Sequence, residues 1–405
     1  MRPEPTFAEK AFTVLALMLS SGAVVALWRQ TNDAAPDLVD GDPLMQVVLF
    51  GVYAVSLVLL VLRCPGFAGA LGRERLLLLF LALVFASIIW SDAPDLTARR
   101  ASALAATTLL GAYLGLRYSL REQVDLLAIA LGLVAVLSLA TGLFLPAYGI
   151  SDEAYDGAWR GVFVHKNQFG RMMALTGVVG WLLVRRRGGA RLVGAAMMVL
   201  AGALISLAQS RTSLLIYASV VLVAQLARVR TSRWRALLVG GTVALVTAAT
   251  AFIDGEAIFG ALGRDSSLTG RTGLWEMAVE MISQRPLLGY GYAAFWRGWE
   301  GASAYVWQIA GWEVPHAHNG YLDLCLSVGV VSTVVLLAGL LVTARRALTA
   351  RTTDTPEQIW PLVYLAFTLL SNLTESALAA QNSVFWVLYV AAVVTVGRQA
   401  RAVAA

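Results

Sequence analysis

The sequence predicts an all-α fold: a polytopic bundle of about twelve transmembrane helices, with a long extracytoplasmic loop containing amphipathic helices. Three observations predict it. Apolar residues make up 58% of the chain and its mean hydropathy is +0.70, against roughly 45–50% apolar in soluble domains. Apolar stretches that approach the roughly 20 residues needed to cross a hydrocarbon core recur along its whole length. Arginine gathers in alternate connections, as the insertion of multi-span proteins requires.

The expected spans are 11–28, 44–62, 76–90, 102–116, 124–145, 168–184, 192–207, 213–227, 236–252, 322–343, 360–373 and 377–396. The sixth carries Arg171 and the eleventh is short. Met1–Lys10 is polar and no small-residue cleavage pattern follows the first apolar run, so no cleavable signal peptide is expected. No internal repeat suggests inverted halves, and residues 1–405 read as a single membrane domain.

Basic connections hold Arg63/Arg73/Arg75, Arg117/Arg121, Arg185/Arg186/Arg187/Arg191, Arg228/Arg230/Arg233/Arg235, Arg345/Arg346/Arg351 and Arg398/Arg401. Acidic or neutral links alternate with them, holding Asp33/Asp37/Asp40/Asp42, Asp92/Asp95, Asp152/Glu153/Asp156 and Glu375. Arg29 and the pair Arg99 and Arg100 are outnumbered exceptions. The bias puts both termini on the cytoplasmic side. It also accounts for the net charge of +6, so no nucleic-acid partner follows from that charge. Cys64 and Cys325 fall towards opposite sides, and no disulfide is expected.

Two outer connections are longer than the rest, 146–167 and 253–321. In the second, Leu274, Met277, Ala278, Met281 and Ile282 recur at helical spacing. Pro286 stops that helix, and the glycines of Leu288-Gly289-Tyr290-Gly291-Tyr292 permit a tight turn. The helix is expected to lie against the membrane or the top of the bundle. Trp296, Trp299, Tyr305, Trp307 and Trp312 suit interface anchors, or a platform on which sugars stack.

Three outer-side clusters interrupt this apolar chain. The first runs from Trp159-Arg160-Gly161 through His165-Lys166-Asn167 to Arg171. Lys166 stands at a helix start, where free amides favour anions. Arg171 is deeper, where a charge must face a cavity or a partner. The second is Gln209-Ser210-Arg211-Thr212-Ser213. A guanidinium there matches phosphate oxygens two at a time, although it also suits lipid headgroups. The third joins Gly270-Arg271-Thr272-Gly273-Leu274-Trp275 to His316-Ala317-His318-Asn319-Gly320-Tyr321. All three histidines of the chain fall at outer helix mouths. Imidazole is the usual general base near neutrality. His-x-His is also a metal-ligand spacing, but no third ligand accompanies it in the sequence, so no metal and no cofactor are expected.

In order, these clusters resemble the O-antigen ligase/polymerase superfamily of integral-membrane glycosyltransferases. The resemblance lies in Ser-Arg-Thr around Arg211, Gly-Arg-Thr-x-x-Trp from Gly270 to Trp275, Arg-Pro-Leu-Leu-Gly-Tyr-Gly from Arg285 to Gly291, His-Asn-Gly-Tyr-Leu from His318 to Leu322, and Gly329. These motifs cover the second half of the chain, and they are specific as an ordered set rather than singly. Upstream, Trp159-Arg160-Gly161 with Phe163-x-His165-Lys166-Asn167 resembles the exopolysaccharide-polymerase branch.

The resemblance implies a metal-independent transferase in the bacterial inner membrane, with a periplasmic site. It would take glycan from an undecaprenyl-diphosphate-linked donor to a glycan or lipid A-core acceptor, among membrane lipids and other polysaccharide-assembly proteins. Arg211 would match the arginine that grips the donor diphosphate, and Arg271 a second phosphate- or sugar-contacting arginine. His318 would match the histidine that activates the acceptor hydroxyl. Lys166, Arg171, Arg160, His165, Asn167, Asn319, Tyr321 and Trp275 would line the substrate site. A polymerase is the reading this favours. An O-antigen ligase is the alternative within the family, and an anion or bicarbonate transporter the alternative from another class. The transporter needs polar groups at mid-membrane, whereas the charges here gather at one mouth.

Overall fold

The computed structural model describes residues 4–23, 43–151, 157–229, 232–253, 269–349 and 355–404. Among the described residues the chain is helical, with one isolated antiparallel bridge between Ile150 and Trp159. In order the helices are α1 (Phe7–Ser20), α2 (Pro43–Arg63), α3 (Phe67–Gly72), α4 (Arg75–Ala86), α5 (Pro94–Arg117), α6 (Leu120–Phe144), α7 (Lys166–Val184) and α8 (Gly189–Leu207). They continue with α9 (Arg211–Leu226), α10 (Ser232–Ile253), α11 (Thr269–Gln284), α12 (Ser303–Ala310), α13 (Gly320–Thr349), α14 (Trp360–Ser371) and α15 (Val384–Ala404).

A helix lies over each expected span, with some shifted bounds. Four segments are long and apolar enough to cross a bilayer by length and composition: Leu44–Arg63, Leu120–Phe144, Gly189–Leu207 and Gly320–Thr349. The rest fall short in length or apolar character, so the count of twelve remains an expectation. The first helix begins earlier than its apolar run, because Thr6 and Glu9 form a reciprocal capping box; part of the expected span 11–28 lies outside the described residues. The last helix starts at Val384 rather than at 377. Asn372 pulls residue 377 into a turn instead, its side-chain oxygen accepting from the Ala377 amide at 2.8 Å, and Ala379 and Asn382 adopt positive φ.

The outward faces of these helices are apolar: Phe50 is 74% exposed, Leu192 74% and Leu341 72%. Side chains of this kind belong against lipid tails. Among the described residues, each ion pair joins groups that the charge pattern assigns to the same side. Glu9 meets Arg63 and Arg117, Glu74 meets Arg346 and Arg401, and Arg186 meets Asp125 and Glu357; at the other end Arg285 meets Asp92. The alternation of charge thus corresponds to two physical ends of one bundle.

At its centre, α7 is buried from Phe169 to Leu183 and packs along α8 and α9. A second apolar core sits beside it, built from Leu274, Ala278 and Met281 of α11 with Tyr290, Phe295, Trp307 and Leu326. The expected amphipathic helix therefore buries its apolar face on protein. The turn after it docks on α13, where Tyr290 donates its amide to Leu326 (2.8 Å) and Val330 to Pro286 (2.9 Å). This contact explains two motif glycines. Gly329 breaks α13 with a φ of 73°, and any side chain there would strike the Leu287 carbonyl; Gly289, at φ 67°, meets the backbone of residues 326–329 from the other side.

Candidate active site

The His316–Asn319 loop, the start of α7 and the turn after α14 come together at one end of the bundle. Asp323, in the first turn of α13, fixes the first of these. Its carboxylate accepts from the Ala317 amide (3.0 and 3.1 Å) and the Trp296 indole (2.7 Å), and from the Ser376 hydroxyl on the turn after α14. The loop is pinned again at Gly320, whose amide donates to the Asn372 carbonyl at 2.8 Å. Between these ties His318 sits at φ 50°, a left-handed conformation that a non-glycine residue holds only when its surroundings impose it.

The two loop histidines pack with ring centres 4.1 Å apart. Glu375, from the turn after α14, places Oε1 3.7 Å from His318 Nδ1. That is longer than a hydrogen bond and within reach of one after a small adjustment. Burial alone would raise the Glu375 pKa. The His318 imidazole and the Arg171 charge outweigh it and hold the carboxyl near 2. Burial, then His318, push His316 down to about 3, and Arg171 and His165 act in the same direction. All three histidines, Arg171 and Glu375 therefore share one electrostatic neighbourhood.

Arg171 is buried, its guanidinium lying over the Phe385 ring at 4.6 Å, and its Nε and Nη1 find no hydrogen-bond partner among the described residues. Its neighbour Gly170 packs against the start of α9. A side-chain carbon there would lie 2.6 Å from Ser213 Oγ and 2.9 Å from Ser210 Cβ. Arg211 follows Ser210 directly as the first residue of α9, with an exposed side chain. Gln209, just before, is also at positive φ (51°). Residues 170 and 171 thus link the Arg211 helix start, which packs against Gly170, to the electrostatic neighbourhood of Glu375 and the histidines, which Arg171 shares.

The remaining expected residues divide. His165 caps α7, its Nδ1 accepting from the Asn167 amide at 3.2 Å, and Lys166 opens the helix half-buried. Arg160 is turned to its own loop, donating to the carbonyls of Tyr148 (3.1 Å) and Ala147 (3.3 Å). Asn319 caps α13, accepting from the amides of Tyr321 and Leu322 at 3.0 and 3.2 Å, while the Tyr321 hydroxyl donates to Leu369 O at 2.8 Å. The Trp275 indole donates to Ala317 O at 2.9 Å. These last three hold the histidine loop in place. Arg271 lies one turn before Trp275 on α11; its side chain is outside the described residues. Of the expected aromatic platform, Trp307 is buried with its N–H on Val314 O, whereas Trp299 and Trp312 are 65% and 51% exposed.

Sequence reasoning missed Glu375 as a site residue, reading it only as one acid of an outer link. It also found no third ligand for His-x-His, and Glu375 supplies one. Donor atoms of His316, His318 and Glu375 lie within 4.8 Å of one another. Two imidazoles and a carboxylate suffice in number for a zinc-like ion. The Arg171 guanidinium beside them is a fixed positive charge that opposes a dication.

Residues 196–337, which contain Arg211, Arg271 and His318, match the O-antigen ligase family. The chain is also 28% identical over 322 residues to the exopolysaccharide production protein ExoQ of Rhizobium meliloti (strain 1021), an alignment covering 74% of this chain and 71% of that protein. The matched stretch is thus similar to the O-antigen ligase family, the same family that the ordered motifs resemble.

Proposed function

We propose that this protein is a polysaccharide polymerase of the bacterial inner membrane. It transfers glycan from an undecaprenyl-diphosphate-linked donor to a sugar hydroxyl on the periplasmic face. The observation that carries the reading is the convergence of Arg171, three histidines and Glu375 beside the helix start that bears Arg211. In the reaction, the bond between the donor's anomeric carbon and its phosphate oxygen breaks, and a bond from the acceptor oxygen to that carbon forms. The acceptor proton passes to His318, a contribution of roughly 10²–10⁴-fold for a well-placed base. The lipid diphosphate departs with its charge facing Arg211 and Arg271, whose guanidinium forks fit phosphate oxygens. Arg171 offers its unpartnered N–H groups to the same ligand. Arg160, Trp275, Asn319 and Tyr321 support the walls.

The likeness to an exopolysaccharide production protein, together with the His165-Lys166-Asn167 element, supports polymerase over ligase. The test is purified protein given a defined undecaprenyl-diphosphate oligosaccharide, with and without chelator. The expected result is a ladder of lengthened products, unchanged by chelator, that disappears in His318→Ala and Arg211→Ala. A single transfer onto lipid A-core without a ladder would identify a ligase. Activity lost to chelator and restored by zinc would replace the general-base reading with a metal at His316, His318 and Glu375. Anion uptake into proteoliposomes with no glycan product would end the transferase reading altogether.

A further inference from the structure

Glu375 occupies a position that the transfer reaction, as proposed, does not explain. It is a buried carboxylate on a connecting turn, with Oε1 3.7 Å from His318 Nδ1. A great deal of structure keeps it there. Its own amide donates to Ser371 O at 3.1 Å. Asn372 anchors the turn from both ends, donating to Thr368 O and accepting from the Ala377 amide, each at 2.8 Å. The next residue, Ser376, donates to Asp323, the same carboxylate that holds the Ala317 amide between the two histidines. One acid therefore ties the turn of Glu375 to the loop of His318 and fixes their spacing. The Arg171 charge also acts on Glu375, with its guanidinium 4.6 Å over the Phe385 ring.

We propose that Glu375 is a positioning residue for His318: its carboxylate turns Nδ1–H of the imidazole toward itself and leaves Nε2 for the acceptor hydroxyl. When the acceptor proton moves to Nε2, the imidazolium is stabilised by a carboxylate that stays ionised and takes no proton. Arg171 keeps that carboxylate charged. A neutral imidazole between a carboxylate and a hydroxyl is the arrangement that orients a general base in hydrolases of unrelated fold, and the physical requirement is the same. The inference rests on the transferase reading, with His318 as base.

The experiment compares Glu375→Gln with the parent in the lipid-linked oligosaccharide assay. The glutamine keeps the shape and removes the charge. Thermal unfolding in detergent shows whether the variant is folded. The expected result is a fall in kcat of roughly 10–10³-fold with KM within about twofold, since the carboxylate acts on the base and not on substrate binding. A role confined to structure would show instead as lowered thermal stability without that division between kcat and KM. A folded Glu375→Gln protein with kcat within twofold of the parent, or one whose whole loss lies in KM, overturns the proposal.

If Glu375→Gln does not accumulate, Glu375→Asp decides. It keeps the charge facing Arg171 and withdraws the carboxylate from Nδ1 by about one methylene. A drop in kcat of about tenfold or more is expected, and parental kcat refutes the idea. His318→Ala separates the two readings. Inactive His318→Ala beside active Glu375→Gln removes only the positioning role. Active His318→Ala removes the base on which both depend.

Discussion

Gly170→Ala would test whether the start of α9 must sit against residues 170–171. A β-carbon at Gly170 lies 2.6 Å from Ser213 Oγ and 2.9 Å from Ser210 Cβ. The Ser213 hydroxyl can rotate away, at the loss of the 2.8 Å hydrogen bond it accepts from Ser210. Ser210 Cβ is fixed to the backbone and cannot. Restoring an ordinary carbon–carbon separation of roughly 3.5–4.0 Å therefore needs α7 and α9 to part by about 0.5–1 Å at this point. Overpacking of this kind costs about 1–3 kcal/mol, which leaves most of the protein folded. The consequence falls on Arg211, which immediately follows Ser210. A misplacement near 1 Å between groups that act together is worth about 10²-fold in rate, so transfer activity should fall about 10–100-fold. The assay is product-ladder formation from lipid-linked oligosaccharide, with protein normalised by thermal unfolding in detergent. Gly132→Ala on α6, where a β-carbon meets nothing within 4 Å, is the neutral control. Pairing Gly170→Ala with Ser210→Gly removes the fixed contact and should recover part of the loss. A folded Gly170→Ala protein with parental activity refutes the coupling between these two helix starts.

Two further outcomes follow from the histidine loop. Asp323→Ala strips three donors, from Ala317, Trp296 and Ser376, of their shared acceptor. It should cost about 3–5 kcal/mol in detergent unfolding, and a loss below about 1 kcal/mol would mean that the loop is held elsewhere. Acid should destabilise the fold early. His316 is held down from 6.5 to about 3, so below about pH 6.5 the unfolded chain takes up a proton that the folded chain refuses. Stability then falls by up to about 1.4 kcal/mol per pH unit as pH drops toward 3. Glu375, lowered from 4.5 to about 2, acts with the same sign further down: its stabilisation is complete above about 4.5 and is lost as pH falls through 2. The unfolding temperature from pH 7.5 to 4.5 should decline in the parent and flatten in His316→Gln; a parent flat across that range contradicts the assignment.

The sequence by itself determined the helical bundle and its two sorted ends. These follow from composition and from charge in alternate links, which report transfer free energies residue by residue. The apolar stripe of α11 and its stop at Pro286 are likewise local properties, since each depends on neighbours three or four residues away. The ordered motifs marked the region later matched to the O-antigen ligase family. What lay beyond the sequence is which polar groups are used by the fold itself. Arg160, Trp275 and Tyr321 looked like substrate contacts, yet each donates to a backbone carbonyl of the protein. Glu375 looked like one acid of a solvated link, and only the tertiary structure brings it to His318. Its turn replaces the helix expected from residue 377, and the ties that build the turn, through Asn372, Gly320, Ser376 and Asp323, join segments far apart in the chain. Contacts of that range leave no periodic trace in the sequence, because what selects them is the burial of polar groups that must find partners in three dimensions.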